Sequence, residues 1–298
     1  MRTKLLLLFG LLFFSSVRGQ DVDSLMQEIS PDFSAAPVPI FQSPKLVLQQ
    51  TPETQPEYDL TFWIGHRFGD INEGIHSLFG LDWASDIHIG FEYGLTEDLT
   101  LGIGRSRFNE AYNAQAKYAL FRQVPEKSPV AMTLFLQSSW ITREENFEDE
   151  FDNQSERISH FFQVILGRKF SPSVSLMLSP GYLARSITFD PNDEEDFFVL
   201  GVGGRLRLTK RLSLIADYML VKGLGRPEDL ARDYYNPLGV GLEIQTGGHV
   251  FSLNFQNSAY ITENNFIPYT HTSWKDGGIR LGFTISRNFY LGPKEDKI

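Results

Sequence analysis

Apolar and polar residues alternate with a period of two through most of this chain. From Ser85 to Leu95 the odd positions hold Ile87, Ile89, Phe91, Tyr93 and Leu95, and the even ones hold Asp86, His88, Gly90, Glu92 and Gly94. Asp59 to Phe68 behaves alike, with Leu60, Phe62, Ile64 and Phe68 on one parity and Asp59, Thr61 and Arg67 on the other. Successive side chains of an extended strand point to opposite faces, so this alternation predicts strands that are wet on one side and apolar on the other. The period returns over 99–106, 112–123, 130–140, 158–170, 174–185, 198–208, 212–221, 238–245, 250–260 and 279–289, which makes twelve predicted strands.

The connections sort by length. Tight links at Thr96-Glu97-Asp98, Ser171-Pro172-Ser173, Thr209-Lys210-Arg211 and Thr246-Gly247-Gly248 alternate with long ones at 69–84, 143–157, 186–197, 222–237 and 262–278. If the strands run up and down, the tight turns share one rim and the long loops the other, which is the asymmetry of outer-membrane barrels. A soluble sandwich has no such requirement, and its strands are shorter than these segments of about ten residues, which at a tilt of about 40° match an apolar band of roughly 25 Å. The expected fold is therefore all-β: an antiparallel up-and-down transmembrane β-barrel of about 12 strands over residues 58–291, with short periplasmic turns and long extracellular loops. Tyr58, Tyr93, Tyr118, Trp140, Tyr182, Tyr218 and Phe289 fall toward strand ends, where rings suit the headgroup layer.

The ends read differently. Arg2 and Lys4 precede an apolar run from Leu5 to Phe14, with small residues at Val17 and Gly19, so residues 1–19 are expected to be a signal peptide. No stretch reaches the ~18 apolar residues of a membrane helix. Residues 20–57 carry six prolines and patchy hydrophobicity. They are expected to form an arm, in the periplasm rather than folded into the lumen or paired as an extra strand. Residues 292–298 form a short tail. The absence of cysteine removes disulfides, thiolate metal sites and cysteine-linked lipids, and a net charge of −10 argues against nucleic acid as a partner.

Several residues resemble a known family. Phe62-Trp63-Ile64-Gly65-His66-Arg67-Phe68-Gly69-Asp70, Phe79-Gly80-Leu81-Asp82, Ile89-Gly90-Phe91-Glu92-Tyr93-Gly94-Leu95, Leu101-Gly102-Ile103-Gly104-Arg105-Ser106 and Lys117-Tyr118 resemble the uncharacterised outer-membrane β-barrel family catalogued as domain of unknown function 5777. Phe41-Gln42-Ser43-Pro44-Lys45-Leu46 is similar to that family's N-terminal segment. The resemblance implies a barrel in a Gram-negative outer membrane and brings no activity with it.

Parity places Arg67, Asp86, His88, Glu92, Lys117, Arg205, Arg207, Asp217, Glu243 and Arg280 inward, as candidate lumen-lining residues of both signs. Opposed charges in a lumen either orient permeating solutes or pair and close the bore. Twelve strands lie between filled eight-stranded barrels and open sixteen-stranded porins. The expected function is a pore or binding barrel for small polar solutes, with a closed structural or partner-docking barrel as the alternative. Arg67 is expected to pair with a lumen carboxylate. Expected partners are outer-membrane lipid and lipopolysaccharide, with the barrel-assembly machinery reading the terminal strand 280–289. No metal or other cofactor is expected: the acidic loops Glu144–Glu156, with seven carboxylates, and Asp190–Asp196, with five, lack the EF-hand spacing. Catalysis is not expected either. His271 and Ser273 are the best nucleophile arrangement, but they sit on a predicted loop without an elbow or metal motif.

Overall fold

The computed structural model describes residues 36–188, 190, 192–223, 226, 230 and 232–293. The expected signal peptide at 1–19, the arm residues up to 35 and residues 294–298 of the tail lie outside these. Everything below concerns the compact unit that runs from Pro37 onward.

Twelve antiparallel strands close on themselves in sequence order. They are β1 (Asp59–Asp70), β2 (Ala84–Gly94), β3 (Leu99–Ser106), β4 (Tyr112–Phe121), β5 (Ala131–Trp140), β6 (Ile158–Lys169), β7 (Val174–Arg185), β8 (Asp196–Arg207), β9 (Leu212–Gly223), β10 (Leu238–Gln245), β11 (His249–Gln256) and β12 (Arg280–Tyr290). The first strand pairs with the last, Leu60 opposite Phe289 and Ile64 opposite Ile285, so no edge is left for lipid to meet. Predicted and observed strands agree to within a few residues except at β11, which stops at Gln256 instead of continuing to Tyr260. There the chain leaves the wall and turns inward.

Alternation sets the two faces. Ile103 is 67 % exposed and Phe198 52 %, as are many outward leucines and phenylalanines to a lesser degree, while their neighbours Gly102 and Phe197 are buried inside. An apolar outer wall of this extent is stable only against hydrocarbon. The inner wall differs from the expected wet lining. Phe135, Phe161, Ile165, Met177, Leu183, Phe197, Val199, Ile215 and Met219 point inward from β5 to β9 and are fully or almost fully buried. The β5-to-β9 half of the wall therefore carries an apolar patch, and it must be covered.

Two segments cover it. The first corrects the expected periplasmic arm: residues 38–56 run inside the barrel. The chain enters at the tight-turn rim, where the Val38 N–H donates to Gln123 O at 2.8 Å, climbs to a tip at Val47 and Leu48, and descends to Tyr58, whose N–H donates to Gly94 O at 2.9 Å. A local turn closes the tip, with Leu46 N–H to Gln49 O and Thr51 N–H to Pro44 O both at 2.8 Å. Ile40, Phe41, Leu46, Val47 and Leu48 are 0–4 % exposed and pack into the apolar patch of the wall. The second corrects the expected extracellular loop after β11: Ile261 to Thr270 fold down into the barrel around a single helical turn, α1 (Glu263–Phe266), with Phe266 and Ile267 in the same core. Burying these apolar residues, at roughly 25 cal/mol per Å², is what draws both segments in, and the prolines do not oppose it because neither segment joins the sheet.

The wall is cut to receive the arm. A Cβ added at Gly94 would lie 1.9 Å from Pro56 O, at Gly201 1.7 Å from Gln49 Oε1, at Gly239 2.5 Å from Val47 Cγ1, and at Gly167 2.7 Å from Pro52 Cγ. Those glycines are the seat on which the arm rests.

Candidate functional site: the closed lumen

Five of the ten expected lumen residues, Arg67, Asp86, Glu92, Lys117 and Asp217, bind the two inserts rather than each other. Arg67 on β1 donates from Nη2 to Val47 O at 3.0 Å, so its partner is the arm's main chain and not the lumen carboxylate expected. Four strands round the barrel, Asp217 on β9 accepts the Leu48 and Gln49 N–H groups on one carboxylate oxygen, at 2.8 and 2.9 Å. A tight turn leaves its own N–H and C=O groups unpaired, and these two charged side chains satisfy them from two separate parts of the wall. Lys117 on β4 donates to Pro44 O at 3.0 Å, and Glu92 on β2 accepts from Gln55 Nε2 at 3.2 Å. Neutral residues complete the grip: Thr133 to Pro52 O, Ser175 to Ile40 O, and Ser179 to Gln49 Oε1.

Asp86 serves the other insert. It accepts the Ile261 N–H on one oxygen and the Phe108 N–H on the other, both at 3.1 Å. Asn264 of α1 bridges Gln137 and Ser159 at 2.7 and 2.8 Å. The remaining candidates stay within the wall. His88 bonds Ser106 at 2.9 Å and stacks on Trp63, Arg205 pairs with Glu243 at 2.9 Å, and Arg280 reaches Ser85 and Asp70 at 3.2 and 3.6 Å. Arg207 is exposed at the tight-turn rim.

The inserts meet in the middle. Lys45 of the arm donates to Glu263 of α1 at 2.9 Å and to Ile261 O at 3.2 Å, while Gln50 donates to the same Glu263 oxygen at 3.3 Å. Glu263 is fully buried, and the Lys45 side chain is 11 % exposed. Parity along strands could not single out these residues, because neither lies on one. A usable signal was present: Phe161-Phe162, Leu176-Met177-Leu178 and Phe197-Phe198-Val199-Leu200 are apolar at both parities, which a water-filled bore would not tolerate.

Between the arm and the β1, β11 and β12 wall, beside Arg67, Asn254 and Gln256, lies a cavity of about 10 Å³, room for about one water. A larger cavity of about 350 Å³ opens at the tight-turn rim between Phe41, Glu53, Gln55, Gln245 and His249, below the arm. Three carboxylates of the acidic loops are paired by neighbouring arginines. Arg143 takes Glu150 in a two-pronged pair and Arg157 takes Glu145 at 3.0 Å, while Asp193 lies between Arg185 and Arg226 at 2.7 and 2.8 Å. Among the described residues no His, Asp and Glu cluster is arranged to hold a metal ion. His271 and Ser273 do not bond one another: His271 faces Asp233 O at 3.1 Å, and Ser273 accepts the Lys275 N–H at 3.1 Å.

The Arg143 guanidinium holds the Glu150 carboxyl at about 2, against an ordinary value of 4.5. A depressed carboxyl stabilises the folded loop above its ordinary value, and that contribution is lost as pH falls through the folded value. Hydrogen exchange in residues 143–157, corrected for intrinsic rates, is therefore expected to rise between pH 4.5 and 2. In Glu150→Gln that rise should be gone, the loop being already loosened at neutral pH. An identical profile in both proteins would contradict the assignment.

A family model described as a membrane-bound beta barrel domain of unknown function, number 5777, matches residues 41–289. No curated protein matches the sequence. Among solved structures, the chain is similar to the NanC porin (8% identity, TM-score 0.46, covering 78% of this chain and 100% of that one). It is similar too to the KdgM porin (7%, 0.46, 78% and 99%). A third is the COG4313 outer membrane channel from Pseudomonas putida F1 (13%, 0.45, 80% and 97%). A closed, even-stranded antiparallel barrel with an apolar outer wall, tight turns on one rim and long loops on the other is an outer-membrane protein, and the rim the arm enters is the periplasmic one.

Proposed function

This chain belongs to the membrane-bound beta barrel domain family, and from that premise we propose that it is a gated conduit for small polar solutes, held shut by its own arm and inserted loop. The observation that supports this most is the manner of closure. The arm is seated in glycine notches and held by wall charges that bind its main chain, with no strand pairing to the wall. A permanent plug could be built from packing alone. This one leaves Arg67, Lys117, Glu92 and Asp217 facing the bore the moment it withdraws, and charges of both signs suit polar solutes. The apolar patch of the wall then becomes the seat from which the arm was released. No catalytic role enters this reading, and recognition of the strand Arg280–Tyr290 by the assembly machinery belongs to it as the route of insertion.

Filling the seat tests it. Leucines introduced together as Gly201→Leu and Gly239→Leu occupy the space of Gln49 and Val47. The double variant is expected to expose residues 40–55 to added protease and to admit small sugars in a liposome-swelling assay, whereas the parent protein stays protected and impermeable. A folded double variant with a protected arm would overturn the proposal.

A further inference from the structure

Between β4 and β7 the outer wall carries one polar break that the lumen does not explain. Outward positions of β4 to β7 are apolar through the band, except that Ser138 on β5 and His160 on β6 stand side by side as register partners, with Ser138 Oγ and His160 Nδ1 2.8 Å apart. Their neighbours in the same row are small, Ala114 beside Ser138 and Ala184 beside His160. The row lies one outward step inside Tyr112, Trp140 and Ile158, where the strands run out into the long loops, so it sits at the depth of the outer leaflet. Small residues flanked by large ones leave a groove of about 680 Å³, walled by Ile89, Phe91, Ile103, Tyr112 and Trp140.

A polar pair in a hydrocarbon-facing wall is costly unless something polar reaches it. Arg105 stands at the top of the same groove, its guanidinium over the Tyr112 ring at 5.7 Å. Glu110 takes one edge of that guanidinium at 3.2 Å, and 45 % of the Arg105 side chain remains exposed. We propose that this groove binds one anionic lipid of the outer leaflet, one whose phosphate is not neutralised by a cation of its own headgroup. An acyl chain lies along Ile89, Phe91 and Ile103, the free edge of Arg105 meets the phosphate, and His160 with Ser138 hydrogen-bonds the ester or amide linkage between them. The occupant is argued from position and charge: the groove lies on the lipid-facing side of the wall, and Arg105 sits at headgroup height. The site is independent of the gate, since Ser138 and His160 face away from the lumen.

Trp140 lines the groove and reports on it. The full chain is reconstituted in vesicles of brominated phosphatidylglycerol or brominated phosphatidylcholine diluted in unbrominated phosphatidylcholine, and the Trp140 signal is isolated by subtracting the Trp140→Phe protein. Phosphatidylglycerol is expected to be favoured over bulk lipid about fivefold, the scale of one exposed ion pair. Arg105→Gln, a rim change that leaves the wall intact, should reduce that preference to parity, as should Ala114→Leu, which fills the groove. Free inorganic phosphate should not displace the lipid, because it lacks the chain that fills the groove; displacement would mean a bare anion site and overturn the proposal. Equal quenching by both lipids in the parent protein, or a preference unchanged in Arg105→Gln, would overturn it as well.

Discussion

Deletion of residues 20–56 is expected to convert a silent barrel into a conducting one. In planar bilayers the full chain should show no steps at voltages where the deletion shows discrete, lasting conductance. The reason is geometric: residues 38–56 occupy the bore and are hydrogen-bonded to wall residues on β1, β2, β4, β5, β7 and β9. Their loss also leaves Asp217, Arg67 and Lys117 without the arm groups that now satisfy them, and re-solvates an apolar surface built by Phe135, Phe161, Leu183 and Phe197. The truncated barrel should therefore melt at a lower temperature while keeping its β spectrum, because the twelve-strand ladder does not depend on the arm. A truncated protein that retains the barrel and stays electrically silent would show that the loop after β11 closes the bore unaided, and the arm would lose its role as gate.

The second large effect is expected at the junction of the two inserts. Glu263→Ala leaves the Lys45 ammonium buried beside one carbonyl, and removing one member of a buried ion pair typically costs 3–5 kcal/mol, or about a hundredfold or more in the closed-to-open ratio. The variant should gate open in brief bursts, with the same step size as the arm deletion. Lys45→Met with Glu263→Leu removes both charges and keeps the volume, so it should close again. That rescue separates a charge latch from simple loss of packing. If the single variant stays as silent as the parent, the ion pair is not what joins the extracellular insert to the periplasmic arm. The arrangement also has a directional consequence. Pulling the loop outward draws Glu263 away from Lys45, and withdrawing the arm draws Lys45 away from Glu263, so one contact reads both sides of the membrane.

How much of this was legible follows from what each signal measures. Alternation along 85–95 and its eleven counterparts reports whether neighbouring positions face lipid or lumen, a property each strand has by itself, and it located the strands to within a few residues. The same parity turned Arg67, Asp86, Glu92, Lys117 and Asp217 inward, yet it carried no information on what they touch. The composition of 20–57, rich in proline and poor in long apolar runs, describes a segment that does not join a sheet, and residues 36–57 do not join it. Proline does not exclude a segment from a cavity, and five buried apolar residues, Ile40, Phe41, Leu46, Val47 and Leu48, were enough to bring it inside.

Sequence alone determined that the chain is a twelve-stranded membrane barrel, because strand period, strand length and loop asymmetry are local properties that the bilayer imposes on each segment. Only the tertiary structure decided that the barrel is shut. Closure depends on Lys45 meeting Glu263 and on the Val47–Leu48 tip fitting between Arg67 and Asp217, partners 218 and up to 169 residues apart. Contacts at such separations arise from the closed cylinder, which brings separate parts of the wall to one central space, and leave almost no trace in the pattern along the chain.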